Sequence, residues 1–206
     1  MTFLDRTVLQ GDHVVLEPLG HEHHDGLVDA VRDGELWTLW YTRIPTPEDM
    51  RAEIERRLQE ERAGSMLPFV TRRAATGEVL GMTTFCDADA ASRRVEIGAT
   101  WLARSAQGTQ VNTEAKLLML THAFEAWDCI AVQFSTHWMN LQSRAAIARL
   151  GAKQDGVLRS HKVMPDGTLR DTVVFSIIAA EWPTVRTHLQ HRLASGAGTG
   201  TGTGTG

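Results

Sequence analysis

The sequence predicts an α+β fold: a mixed, largely antiparallel sheet covered by helices on both faces in three layers. Two observations carry this. Residues 67–72 and 79–85 alternate about a turn at Ala75-Thr76-Gly77-Glu78, and residues 157–178 repeat the pattern about Pro165-Asp166-Gly167, so each stretch reads as an antiparallel hairpin. Between them a long helical stretch joins a strand ending at Leu102 to another at residues 130–137, and a crossover helix of this kind forces those two strands to run parallel.

Composition bounds the rest. The chain has 206 residues, 42% hydrophobic and 22% charged, which suits one well-cored domain over residues 1–194. Residues 195–206 are a Gly/Thr tail with too little apolar surface to order itself. A formal net charge of −4 without a basic stripe argues against a nucleic-acid partner. The N-terminal residues lack the apolar core of a signal peptide, and no run is long enough to span a bilayer, so a cytoplasmic location without a membrane partner is expected. Cys86 and Cys129 are too few for a disulfide framework and read as small core residues.

In chain order, residues 13–19 form a short strand closed by Pro18, and residues 21–32 a helix. His21, His23 and His24 point in different directions on that helix and read as exposed side chains rather than a metal cluster. Residues 36–45 are rich in aromatics. Trp37, Trp40 and Tyr41 are either a helix end packed on the core or the wall of a substrate pocket. Thr46-Pro47-Glu48-Asp49 opens a charged amphipathic helix to about Ala63. The strand over residues 94–102 should turn Val95, Ile97, Ala99 and Trp101 to one face and Glu96, Gly98 and Thr100 to the other. A carboxylate in mid-strand is either half of a surface ion pair or a functional group.

The stretch from Trp101 to Lys116 organises the chain. It reads as a strand end, a turn-rich loop with Gly108, and a helix start capped by Asn112, an arrangement that offers free backbone N–H groups to an anion such as phosphate. Glu114 in the first turn would favour the helix dipole and share a polar stripe with Thr121, Glu125 and Asp128. Many strand–loop–helix junctions bind nothing, so the motif alone is weak. Asn140 caps a further helix carrying Ser143, which ends at Gly151, and a last helix spans about 180–194. His161 and Asp171 fall on paired strands, either as a base with its orienter or as a surface hydrogen bond. His188 and His191 have no third ligand in view, so no metal is expected.

Taken together, Val95-Glu96-Ile97-Gly98-Ala99-Thr100-Trp101-Leu102, Gln107-Gly108-Thr109-Gln110-Val111-Asn112-Thr113-Glu114-Ala115-Lys116 and Asn140-Leu141-Gln142-Ser143-Arg144-Ala145-Ala146-Ile147-Ala148-Arg149-Leu150-Gly151-Ala152 resemble the GCN5-related N-acetyltransferases (GNAT), in their RimJ/RimL-like branch. Leu158-Arg159-Ser160-His161, Pro165-Asp166-Gly167 and Arg170-Asp171 continue the resemblance from about Thr7 to Leu193. It implies a seven-stranded mixed sheet whose two parallel strands splay at the cofactor cleft, and transfer of an acetyl group from acetyl-CoA to a primary amine of a small molecule or a protein N-terminus.

By the same resemblance, Trp101, Leu102, Ala103, Gln107, Gly108, Thr109, Gln110, Val111, Asn112, Thr113, Asn140 and Ser143 contact acetyl-CoA. A backbone N–H near Trp101 or Leu102 serves the oxyanion, and the Ser143 hydroxyl serves the leaving thiolate. Glu96 is the candidate base, with His137 second, while Trp37, Trp40, Tyr41 and His161 line the acceptor side. Gln110 and Asn112 stand where the family's phosphate loop has small residues. That departure favours the alternative, a CoA-binding sensor without turnover. A monomer or a homodimer is expected.

Overall fold

The computed structural model describes residues 3–196. Eight strands form one sheet: β1 (Leu9–Gln10), β2 (Val14–Pro18), β3 (Met66–Arg73), β4 (Val79–Asp89), β5 (Arg94–Leu102), β6 (Ala131–His137), β7 (Lys153–Val163) and β8 (Leu169–Ile178). Their spatial order is β1-β2-β3-β4-β5-β6-β8-β7. All neighbours are antiparallel except β5 and β6, as the crossover requires. The eighth strand relative to the expected seven is the two-residue β1, which pairs at the edge with β2.

Five α-helices cover the sheet: α1 (His24–Arg32), α2 (Met50–Arg62), α3 (Gln110–Thr121), α4 (Leu141–Arg149) and α5 (Trp182–Gly196). Successive β4 side chains show which helix lies on which face. Thr83 Oγ1 accepts from Lys116 of α3, whereas Thr84 Oγ1 accepts from Arg57 of α2, so α2 and α3 lie on opposite faces. The α3 face is filled by Phe69, Phe85, His122 and Trp127, with Phe85 and Trp127 centroids 4.7 Å apart. Arg57, 2% exposed, is neutralised by Glu53 at 2.6 Å.

Several expectations need correction. Thr109, not Asn112, caps α3: its hydroxyl accepts from the Val111 N–H, and the helix starts at Gln110. Glu114 is not on a solvent stripe. It is 5% exposed and accepts the N–H groups of Asp12, His13 and Val14 at 3.0, 2.7 and 2.7 Å. α3 ends at Thr121 and continues as a π-helical turn, His122–Ala126, which swings Glu125 to Trp182 Nε1 and Arg186 of α5. Ala99 is exposed, because β5 carries a bulge there: Gly98 pairs with Thr84 but Trp101 with Met82, and Ala99 has φ of +47°. The extra residue reverses the alternation, so Thr100 joins Thr83 on the α3 face. His23 is 9% exposed, accepting from the Gly20 N–H and facing Glu17 at 3.4 Å. α5 reaches Gly196, so Ser195 and Gly196 belong to a helix; residues 197–206, the rest of the expected tail, lie outside the described residues.

Candidate active site

The site is a fork. β5 and β6 pair at Arg94–Ala131, Val95–Val132 and Glu96–Gln133, and there the pairing stops. Beyond it β5 stays with β4 as far as Leu102, and β6 stays with β8 as far as His137. The two strands therefore part towards their C-terminal ends, leaving an edge of each unpaired.

The β5 arm leads into the loop before α3. Ala103 N–H donates to Leu80, Arg104 N–H to the Asp33 carbonyl and Ser105 N–H to the Asp33 carboxylate, so the loop is tied to β4 and to the end of α1. Ser105 holds the Asp33 carboxyl below its ordinary range. Gln107 donates to the Leu102 carbonyl at 2.8 Å and accepts from Gln142 of α4 at 3.0 Å, bridging the two arms. Gly108 has φ of +74° and open space where a Cβ would stand. Among the described residues no acceptor takes the N–H groups of Gly108, Thr109 or Gln110. Loop and helix terminus together therefore suit a phosphate. The Gln110 side chain leaves this loop altogether, donating to the Leu193 carbonyl of α5 at 2.6 Å, so its bulk does not fill the small-residue position. The buried Trp101 indole N–H has no partner among the described residues.

Glu96 lies at the base of the fork, at its last strand pair and on the α2 face. Oε2 accepts from Ser135 Oγ at 2.8 Å and from Gln133 Nε2 at 3.0 Å, which leaves Oε1 without a donor among the described residues. No arginine or lysine among them forms a direct ion pair with Glu96, although the Arg170 guanidinium is near enough to feel its charge. A Cβ at Gly98 would come within 2.9 Å of Oε1, so glycine there gives the carboxylate room. Cys86 is half-buried beside it rather than in the core: Sγ and carboxylate oxygens of Asp87 and Glu96 lie within 4.8 Å of one another. Burial, then these two carboxylates, push the Cys86 thiol well above its ordinary range, so it stays protonated.

On the β6 arm, Asn140 caps α4 by accepting from the Ser143 N–H at 3.0 Å. The Ser143 hydroxyl has no partner among the described residues. His137 is buried, and its Nδ1 accepts from the Met139 N–H at 3.0 Å. Burial, then the charge of Arg170, lower its pKa. Its available lone pair is thus already used, which makes it a poor proton acceptor. Trp40, 58% exposed, meets His137 edge-on at 5.4 Å and Tyr41 at 5.6 Å, bringing the aromatic connector over the end of β6. Trp37 instead packs partly buried against the core.

Of the two readings of His161 and Asp171, the structure forms no base–orienter dyad. Asp171 accepts from Arg159 and from the Ser160 N–H, while His161 faces Thr172 Oγ1 at 3.1 Å; a register shift at Ser160, with φ of +48°, separates them. Gln133 and Ser135, which the sequence does not single out, complete the Glu96 environment. The polar residues alternating with Val132 and Phe134 on β6 are the available signal.

With this geometry in view, similarity to known proteins decides the family. The profile described as Acetyltransferase (GNAT) domain matches residues 13–153. The chain belongs to the GNAT acetyltransferase family. The Bacillus subtilis (strain 168) protein YdaF, provisionally named a ribosomal N-acetyltransferase, is 30% identical over 106 residues, 52% of this chain and 57% of that relative. The chain thus spans little more than half the length of that curated relative. A T. thermophilus crystal structure, provisionally named an acetyltransferase, superposes with a TM-score of 0.82 at 33% identity, covering 93% of this chain and 100% of that one. Mycobacterium smegmatis RimJ in complex with CoA-disulfide shares the fold, with a TM-score of 0.74 at 24% identity over 91% of this chain and 92% of its own. The family expected from the sequence is the one that the profile match shows.

Proposed function

We propose that this GNAT chain transfers an acetyl group from acetyl-CoA to a primary amine, with a protein N-terminus as the favoured acceptor class, in a cytoplasmic setting. The observation that carries the reading is the placement of one carboxylate without a direct ion pair, Glu96, at the base of a fork whose β5 arm ends in free backbone N–H groups. The name of the B. subtilis relative supports the acceptor class. No helix among the described residues is long and apolar enough to cross a membrane.

In this reading Gly108, Thr109 and Gln110 receive the pyrophosphate, and Gln107 and Asn140 hold the two arms beside the pantetheine. A neutral amine attacks the thioester carbonyl carbon, so a C–N bond forms as the C–S bond breaks. The amine's proton passes to Glu96 Oε1, directly or through one water. A backbone N–H around Trp101 or Leu102 faces the oxyanion. The Ser143 hydroxyl donates to the departing thiolate. Trp40 and Tyr41 face the acceptor. The sensor alternative drew on Gln110 and Asn112, of which the Gln110 side chain is directed at α5 instead. Release of free CoA thiol on adding N-terminal peptides to protein and acetyl-CoA tests the reading; binding of CoA without any release would favour the sensor.

A further inference from the structure

The α3 face of the sheet, opposite Glu96, holds a second polar centre. Lys116 is 5% exposed, and its Nζ donates to Thr83 Oγ1 and Thr100 Oγ1, each at 2.8 Å. The two hydroxyls are 2.8 Å apart, and Thr83 also donates to Met119 Sδ at 3.5 Å. Two acceptors match the two hydrogens of a neutral amine; an ammonium would carry a third with no acceptor among the described residues. No carboxylate among them forms an ion pair with Lys116. Burial lowers its pKa from 10.5 to about 7, opposed by Cys86 of β4, whose thiol is itself held protonated.

Thr100 connects this buried amine to the fork. It directly follows the Ala99 bulge, is exposed, and lies beyond the last β5–β6 pair. An alanine in left-handed backbone persists only where its surroundings hold it there. On the α3 face, Thr100 Oγ1 accepts from Lys116 Nζ and shares a hydrogen bond with Thr83 of the neighbouring strand, and these contacts tie down the residue next to the bulge.

We propose that Lys116, as a neutral amine, is a positioning residue of the acetyl-transfer site: through Thr100 it locks the Ala99 bulge and fixes how the β5 backbone from Thr100 to Leu102 meets the thioester. The role rests on the acetyltransferase reading. Protonating the amine breaks the match of donors to acceptors, so the bulge loosens and transfer slows.

The test uses the full chain and four variants, Lys116→Met, Lys116→Arg, Thr100→Val and the double Lys116→Met/Thr100→Val, after wild-type turnover has been measured. Lys116→Met and Thr100→Val should each lower kcat about tenfold or more, since a small misplacement at the reacting centre is costly, while KM for acetyl-CoA moves less than about threefold. The double variant should be no slower than either single, and arginine, which cannot be neutral, should not restore the rate. Nitrogen NMR of the substrate-free protein should show Nζ titrating near the lowered value of about 7. Wild-type kcat in Thr100→Val, additive losses in the double variant, rescue by arginine, or an Nζ titrating near its ordinary value of about 10.4 would overturn the role of Lys116 alone. A wild type that releases no thiol would instead overturn the acetyltransferase reading beneath it. Should Lys116→Met not fold, Thr100→Val decides, because its exposed side chain keeps its shape.

Discussion

Replacing Glu114 by Ala should damage both stability and cofactor affinity. Three backbone N–H groups, from Asp12, His13 and Val14, converge on this one carboxylate at 2.7 to 3.0 Å. A hydrogen bond to a charged group contributes about 1.5–3 kcal/mol, but the three share one carboxylate, His13 and Val14 on the same oxygen. Water can reach the Asp12 and His13 amides when the carboxylate is gone, whereas Val14 is fully buried. The expected loss is therefore about 3–5 kcal/mol, a large share of the roughly 5–15 kcal/mol of a typical domain. At about 2–4 °C per kcal/mol, Tm should fall by roughly 6–20 °C. Because Glu114 sits one turn into α3, it also fixes the helix end that in the proposed reading receives CoA, so CoA affinity should weaken. Gly11→Ala is an independent check: a Cβ there would lie 2.5 Å from the Glu114 carboxyl carbon and should displace the same carboxylate. Urea unfolding and CoA calorimetry measure both effects. A stability change below about 1 kcal/mol in Glu114→Ala would refute this reasoning.

Lys116→Met should stabilise the protein at neutral pH. The folded pKa of about 7 lies below the unfolded one, so between them the unfolded chain binds the extra proton and stability rises with pH; the drop from 10.5 is a penalty of about 5 kcal/mol near pH 7, partly offset by the two hydroxyl hydrogen bonds that the substitution removes. The net gain of about 2–4 kcal/mol should shrink towards pH 10, and a gain independent of pH in urea titrations would contradict the linkage. Trp40→Ala should raise KM for the acceptor more than KM for acetyl-CoA, whereas Trp37→Ala should mainly lower Tm; equal kinetic losses from both would make the connector merely structural. Ser143→Ala should lower kcat only about three- to tenfold, because a thiol of pKa about 8.5 leaves tolerably without help. A loss as large as that of a missing base would give Ser143 a larger part than donating to the thiolate.

The parts of the fold legible in the sequence are those set by local pattern. The two hairpins, the crossover between β5 and β6 and the Asn140 cap each depend on residues close in sequence. The role of Glu114 is hidden there because its three partners lie about a hundred residues earlier and meet it only through packing. Thr109 and Asn112 are both good caps on composition; the one that acts is set by where the loop leaves β5. Ala99 carries no sign of a bulge, since alanine is not a residue that favours left-handed backbone, and that one insertion moves Thr100 to the face where it meets Lys116. A shift at Ser160 on β7 likewise parts His161 from Asp171. In the site, Glu96 stands out as a carboxylate in mid-strand, but its partners Gln133 and Ser135 belong to a strand that only the crossover brings alongside.

The most direct test of the central claim is CoA thiol release from acetyl-CoA with an N-terminal peptide, for wild type and Glu96→Gln, at about pH 7 and about pH 9. An α-amine of pKa about 8 is mostly protonated at the lower pH and mostly neutral at the higher. The account predicts thiol release by the wild type and a loss of about a hundredfold or more in Glu96→Gln near pH 7, with CoA affinity unchanged and the rate partly restored near pH 9. Nearly full activity of Glu96→Gln near pH 7, or no release by the wild type with any peptide, would contradict it.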